Sequence, residues 1–321
     1  MKYHIAVDIG GTQMRAACYH YQQDKPLKIR RVPTRDPSGD ILDRLYELIA
    51  SVYPDEGSVE GLAVAAPGPL DPFQGIIFEA PNIPEWVDLP LRAHLQSRFN
   101  THVEIGNDAN LAALGEWQFG AGRGHHHIVY LTVSTGIGGG VIIDDRMLLG
   151  IHGLAGELGH VTILPGGPIC SCGQPGHLEA VASGPAIARW VQAELQKGAE
   201  SSLKAYKTPN TIQIAQAAIQ GDDLARKAIE NACYYIGICL ANYLHIFNPS
   251  IIIIGGGVSR SGNLILEPIR RAMEFHAMVP HYLDNLALSI SALGDDAGLM
   301  GALTLARSSS QKLEIKTATA L

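Results

Sequence analysis

No run of apolar residues in this chain approaches the roughly 18 needed to cross a bilayer, and stretches such as Ile251 to Ile254 stop far short, so no membrane span is expected. Cysteine is scarce and odd in number, at positions 18, 170, 172, 233 and 239. A disulfide scaffold is excluded, and an N-terminus reading Met-Lys-Tyr-His-Ile-Ala-Val-Asp shows no secretory pattern, so a reduced cytoplasmic protein is expected. Excess positive charge is missing too. With 24 Lys+Arg against 31 Asp+Glu, a net charge of -7 and a pI near 6.0, neither nucleic acid nor an anionic membrane is expected as the main ligand. No low-complexity linker interrupts the sequence. What is present is 321 residues and 34.3 kDa at 46% hydrophobic and 17% charged, with 35 glycines and mean hydropathy +0.09. That is enough for two compact domains at the usual size of about 100–200 residues.

Ile5, Val7 and Ile9 alternate as in a strand, Gly10-Gly11-Thr12 makes a turn, and Met14 to Tyr21 reads as a returning strand. Leu27 to Val32 predicts a third strand. Ile41, Leu42, Leu45, Leu48, Ile49 and Val52 then recur at helical spacing behind Ser38. Leu62 to Ala66 reads as a buried strand, Pro90 to Phe99 as a helix with proline near its first turn, and Val103 to Ile105 as another strand. A second α/β unit opens in the same way: strand Ile128 to Val133, a glycine loop over Ser134 to Gly140, and a returning strand Val141 to Ile143. The repeated device suggests a duplication. Helices dominate from Glu179 to Phe247, the strand Ile251 to Ile254 runs into Gly255-Gly256-Gly257, and a polar, frayed tail is expected after Ser308.

Asp8-Ile9-Gly10-Gly11-Thr12 places a carboxylate at the end of a buried strand, ahead of a turn whose backbone N–H groups and Thr12 hydroxyl can face a phosphate. A tight hairpin alone would look the same. The second loop, Ser134 to Gly140, has a similar composition, and neither loop fits GxGxxG or GxxxxGK[ST], which argues against a dinucleotide-dependent oxidoreductase. Gly255 to Gly257 would let a flat ring or a ribose lie against backbone, or would serve simply as a strand-to-helix turn. Asp108 follows a short strand and opens a helix containing Leu111, Leu114 and Trp117, so it reads as a candidate base or as a helix N-cap.

The segments Asp8 to Thr12, Gly106-Asn107-Asp108-Ala109-Asn110, Ser134 to Gly140, Glu157-Leu158-Gly159-His160 and Cys170-Ser171-Cys172-Gly173-Gln174-Pro175-Gly176-His177-Leu178-Glu179 together resemble the ROK family, from about Ile5 to Ala306. That family holds ATP-dependent sugar kinases, including bacterial glucokinases, and sugar-responsive repressors. The resemblance implies an α/β, two-lobed actin-like or hexokinase-like (ribonuclease H-like) ATPase fold, with a smaller domain over 1–107 plus 297–321 and a larger one over 108–296. It implies a hexose kinase nearest to the glucokinases, phosphorylating the glucose 6-hydroxyl with ATP, and dimeric as such kinases often are. N-acetylmannosamine, N-acetylglucosamine and fructose are the alternative substrates.

Carried over residue by residue, the resemblance makes Asp108 the general base that takes the hydroxyl proton, and Asn82, Asn107, Glu157, His160 and Glu179 the sugar contacts. Turn formation and surface ion pairs are the plain alternatives for those five. Asp8 would hold Mg2+ through water. Gly10, Gly11, Thr12, Gln13, Ser134, Thr135, Gly136, Gly138, Gly255, Gly256 and Gly257 would cradle the nucleotide. His160, Cys170, Cys172 and His177 offer two imidazoles and two thiolates, a set suited to closed, structural, tetrahedral Zn2+. Two departures stand out: histidine at 177 where the family pattern usually has cysteine, and Gln13 where many members carry lysine. The alternative to zinc is a pair of reduced cysteines beside solvent histidines.

His125-His126-His127 reads as a surface loop, Cys233 and Cys239 as core thiols, and Asp295 to Gly301 as a close helix packing. The rival from another class is a noncatalytic sugar-sensing regulator. The family's repressors carry an added DNA-binding domain ahead of the kinase-like part, and here the first strand starts at residue 5, which disfavours that reading.

Overall fold

The computed structural model describes residues 1–36 and 39–311. They form two compact units, one of residues 1–124, 140–156 and 295 onward, the other of 125–139 and 157–294.

The first unit opens with β1 (Lys2–Ile9), β2 (Gln13–His20) and β3 (Pro26–Pro33), joined as an antiparallel meander. Then come α1 (Ile41–Val52), β4 (Ser58–Ala66), the short strands β5 (Leu70–Asp71), β6 (Ile76–Glu79) and β7 (Val87–Leu89), α2 (Leu91–Phe99), β8 (Val103–Asn107) and α3 (Asp108–Phe119). Its main sheet is ordered β3-β2-β1-β4-β8, with β4 parallel to both β1 and β8. β1 and β4 read as continuous apolar runs because helices cover the sheet, and Ile5, Val7, Leu62 and Val64 are fully buried against Leu45, Ile49 and Leu95. The N-cap of α1 is Asp40, whose side chain accepts from the Leu42 and Asp43 N–H groups. Ser38, placed near this helix start by sequence, lies outside the described residues.

The second sheet is built from β9 (Ile128–Val133), β10 (Ile137–Ile143), β11 (Arg146–Met147), β12 (Ile251–Gly255) and β13 (Ala287–Ile290), in the order β11-β10-β9-β12-β13. β12 is parallel to β9 and β13, as β4 is parallel to β1 and β8, so the duplicated opening extends to the strand order. The helices between are α4 (Leu178–Ala182), α5 (Gly184–Gln196), α6 (Thr211–Ile219), α7 (Asp223–Phe247) and α8 (Asn263–His276), and α9 (Ala297–Gln311) closes the first unit. Cys233 and Cys239 are buried on α7, and burial pushes both thiols up to about 12.

The structure corrects the extent of the second glycine loop. Only Ser134 to Gly136 turn, closed by Ser134 N–H on the Gly136 carbonyl (2.9 Å), and Gly138, Gly139 and Gly140 lie inside β10. Those glycines serve close packing: a Cβ at 139 would stand 2.6 Å from the Leu158 side chain, and one at 140 would stand 2.6 Å from the Ala113 Cβ. The backbone of α9 also stays helical past Ser308 to Gln311, and the frayed tail expected beyond it lies outside the described residues. No helix among the described residues is long and apolar enough to cross a membrane.

Candidate active site

In the first unit the hairpin fixes everything else. Gly10 N–H bonds to the Gln13 carbonyl at 2.9 Å, so Met14 pairs with Ile9 and Arg15 with Asp8. The turn is clamped from outside by buried Thr34, whose hydroxyl donates to the Gly10 carbonyl (2.5 Å) and whose N–H donates to the Thr12 carbonyl (2.9 Å). Asn82 packs directly on Gly11, where a Cβ would stand 2.7 Å from its own, which joins a predicted sugar contact to the predicted phosphate loop.

Asp8 is held by Arg15, through Nε at 3.2 Å and through Nη2. Burial pushes the Asp8 pKa up, against the Arg15 charge and hydrogen bond that pull it down. Asp108 sits at the first position of α3, directly after β8. The helix is capped by Asn107, whose Oδ1 accepts from the Ala109 (3.0 Å) and Asn110 (3.2 Å) N–H groups, while Asp108 Oδ1 also accepts from Ala109 N–H at 2.7 Å. The capping role that the sequence left open for Asp108 therefore falls mainly to its neighbour.

In the second unit Glu179 lies beside the Ser134 loop. Its Oε2 accepts the Ile137 N–H at 3.0 Å, and a Cβ at Gly136 would stand 2.6 Å from that oxygen. Its Oε1 accepts from Ser171 Oγ (2.5 Å) and from Cys170 Sγ (3.4 Å). Burial alone would raise its pKa, but these hydrogen bonds outweigh it and the carboxyl titrates below its usual range. His160 ends a single 3-10 turn, Leu158–His160, which is tied to α7 by the Tyr243 hydroxyl on the Leu158 carbonyl. Its Nδ1 lies 3.5 Å from Cys170 Sγ and its Nε2 lies 3.9 Å from Glu157 Oε2.

The Cys170 to His177 loop folds back on itself because Gly176, at φ +74, has no Cβ; one there would overlap the Leu164 carbonyl at 1.8 Å. The return brings His177 Nδ1 to 3.2 Å from Cys172 Sγ, and ligand atoms of His160, Cys170, Cys172 and His177 all lie within 4.8 Å of one another. A tetrahedral ion with Zn–S near 2.3 Å and Zn–N near 2.0–2.1 Å requires sulfur-to-nitrogen edges of about 3.5 Å. The donor set fits zinc. His125, by contrast, bonds through Nδ1 to Ser250 Oγ at 2.8 Å.

A cavity of about 670 Å³ opens between α5, α6 and the turn after β12, lined by Ser134, Thr135 and Gly257 among the predicted nucleotide residues. Pro185, Ala188, Ile212, Ala215, Ile219 and Val258 give it an apolar wall, and Arg260 also lines it. Gly136, Gly138, Gly255 and Gly256 do not line this cavity: Gly138 lies inside β10, and Gly255 backs onto the Tyr130 ring. The residues that sequence reading missed are Arg15, Thr34 and Asp296. The strand pairing opposite Asp8 would have pointed to the first of these.

The glucokinase of Thermotoga maritima is 39% identical over 312 residues, covering 94% of this chain and 96% of its own. A ROK family glucokinase from Streptomyces griseus, solved with glucose and AMPPNP, matches with a TM-score of 0.81 at 34% identity, over 95% of this chain and 99% of that one. A ROK family transcriptional regulator, a homologue of the E. coli MLC protein, matches with a TM-score of 0.87 at 27% identity, over 98% of this chain and 80% of that one. The sequence model of the ROK family matches residues 4–309. On that span of agreement, in sequence and in fold, the chain belongs to the ROK family.

Proposed function

We propose that this chain is an ATP-dependent hexose kinase whose substrate is glucose, phosphorylated at the 6-hydroxyl. The observation that carries the reading is the whole-length similarity to proteins named glucokinase, one of them holding glucose and an ATP analogue, in a chain that carries Asp8, Asp108, Glu157, His160 and Glu179. In this reading Asp108 accepts the 6-hydroxyl proton as that oxygen attacks the γ-phosphorus and ADP leaves. Asn82, Asn107, Glu157, His160 and Glu179 hold the sugar hydroxyls. The base and ribose occupy the cavity beside Gly257 and Arg260. Backbone N–H groups from Gly10 to Gln13 and from Ser134 to Gly136 would face the phosphates, and Asp8 would hold Mg2+, which would supply positive charge against that of the transferring group.

Zinc on His160, Cys170, Cys172 and His177 would be structural, with no open position for hydrolysis. Binding it removes the Cys170 proton, so Glu179 would keep its bonds from Ser171 and Ile137 and lose the one from the thiol. The metal would also fix which His160 nitrogen is left for the sugar. A cytoplasmic homodimer completes the reading, with light scattering in solution as the check on the dimer.

A coupled assay with ATP and Mg2+ over glucose, fructose, mannose and the N-acetylhexosamines tests the proposal. Glucose should give the highest kcat/KM. A higher value for an N-acetylhexosamine would reassign the substrate, and sugar binding with no turnover on any member would favour a noncatalytic regulator.

A further inference from the structure

Two residues beyond the phosphate turn, Arg15 sits in β2 with only 7% of its surface exposed. A guanidinium in that position is tolerated when most of its donors are bonded, and four of its five N–H groups are: Nε and Nη2 bond to Asp8 Oδ2, Nη1 bonds to Asp296 Oδ1 at 2.9 Å, and Nη2 also reaches the Asp295 carbonyl. The arrangement follows from the hairpin. Asp8 and Arg15 are directly opposed residues of an antiparallel pair, so their side chains share a face, and that face meets the start of α9.

Both bonds to Asp8 land on the same oxygen. Oδ2 is taken by the guanidinium, while Oδ1 faces Gly298 in the first turn of α9, where a Cβ would stand 3.1 Å away. The carboxylate is thus held by a buried cation through Oδ2, while Gly298 packs closely against the whole group, its missing side chain leaving room for it. The side chain that ends the turn, Gln13, is neutral. Arg15 is a buried cation next to that hairpin, attached to Asp8 and not to the turn itself.

We infer that Arg15 is a positioning residue for nucleotide binding: it locks Asp8 through Oδ2 so that Oδ1 is presented to the hydrated divalent cation of the nucleotide. The inference rests on the kinase reading for the identity of that ligand. Mg2+ demands near-octahedral geometry and keeps its waters, so a carboxylate that wanders between rotamers loses more affinity for the metal-bound nucleotide than for the nucleotide alone.

The test is calorimetric titration of AMPPNP into the wild type, Arg15→Met and Arg15→Lys, each with Mg2+ and with EDTA, and of glucose into the same proteins, after circular dichroism confirms that they are folded. Arg15→Met should weaken Mg-AMPPNP about tenfold while shifting Mg-free AMPPNP and glucose less than about twofold. Arg15→Lys should return Mg-AMPPNP to within about threefold of wild type, because an ammonium still reaches Asp8. Gly298→Ala supplies an independent perturbation of the same carboxylate, whose Oδ1 would stand 3.1 Å from the new Cβ, and it should reproduce the Mg-specific loss. Equal losses with and without Mg2+, or a change below twofold in Arg15→Met, would overturn the assignment, as would failure of lysine to rescue. These readouts do not need turnover. Wild-type protein that binds Mg-AMPPNP but phosphorylates no hexose would sink the kinase reading and leave Arg15 assignable, whereas no AMPPNP binding at all would end both.

Discussion

Replacing Gly301 by alanine tests the helix contact on which Asp108 rests. α9 crosses α3 at two glycines: a Cβ at Gly301 would lie 1.7 Å from the Leu111 carbonyl oxygen, and one at Gly115 would lie 2.4 Å from the Ala297 carbonyl oxygen. Carbon and carbonyl oxygen settle near 3.3–3.6 Å, so Gly301→Ala must open the crossing by about 1.6 Å or bend it. The obstacle is backbone, and no rotamer change can relieve it. Overpacking of this kind costs about 1–3 kcal/mol or more, while alanine returns about 1 kcal/mol of helix propensity. With backbone as the obstacle at 1.7 Å the cost falls at the upper end, leaving a net loss of about 2 kcal/mol, which for a unit of this size lowers Tm by about 4–8 °C. Because Asp108 begins α3 and Asp296 immediately precedes α9, kcat should fall with stability. Differential scanning calorimetry with a parallel glucose phosphorylation assay reads both. A variant that melts at or above the wild-type temperature would show that the two helices do not approach as closely as described.

Asp108→Asn should lower kcat about 10²- to 10⁴-fold with AMPPNP affinity within a few-fold, and near-normal turnover would remove Asp108 from the role of base. His177→Cys should retain one zinc per chain by elemental analysis of untagged protein and His177→Ala should lose it, with a higher glucose KM in the latter; less than about a tenth of an equivalent in the fully active wild type would mean there is no metal site. His4 is buried, and burial, then the Arg307 charge, lower its pKa from 6.5 to about 4. The unfolded chain therefore takes up a proton first as pH falls, so the His4 contribution is intact above pH 6.5 and is lost towards pH 4, by up to about 3 kcal/mol. Urea denaturation at pH 7.5 and 4.5 should show a smaller pH difference in His4→Gln than in wild type, and an equal difference would place the acid sensitivity elsewhere.

How much of this was legible in the sequence depended on the distance between partners along the chain. The Cys/His cluster is legible in the sequence because three of its four candidate ligands fall within eight residues and the turn glycines between them dictate the return. His160, ten residues before Cys170, came only with the family resemblance, since nothing local says that a 3-10 turn pinned by Tyr243 will bring it alongside. The glycines of β10 were misjudged for a related reason. A run of glycines carries the same composition whether it turns or lets Leu158 and Ala113 press against a strand, and the difference lies in the residues it meets. Gly298 and Gly301 do pack closely, as the composition of Asp295 to Gly301 suggests, but against Asp8 and Leu111, partners that no local pattern reveals.

Arg15 shows where the limit was one of reading and where it was one of physics. Once the turn is taken as Gly10 to Gln13, counting outward pairs Ile9 with Met14 and Asp8 with Arg15, so the ion pair followed from hairpin register alone. Its other anchor did not. Asp296 lies 281 residues away, and only a sheet closed by the final helix places that carboxylate at the same guanidinium. The local half of the clamp is set by a turn of four residues and the distant half by the whole fold of the unit. Disturbing either should loosen the same carboxylate: Asp296→Asn should therefore reproduce part of the Mg2+-specific loss expected of Arg15→Met, while sparing the hairpin.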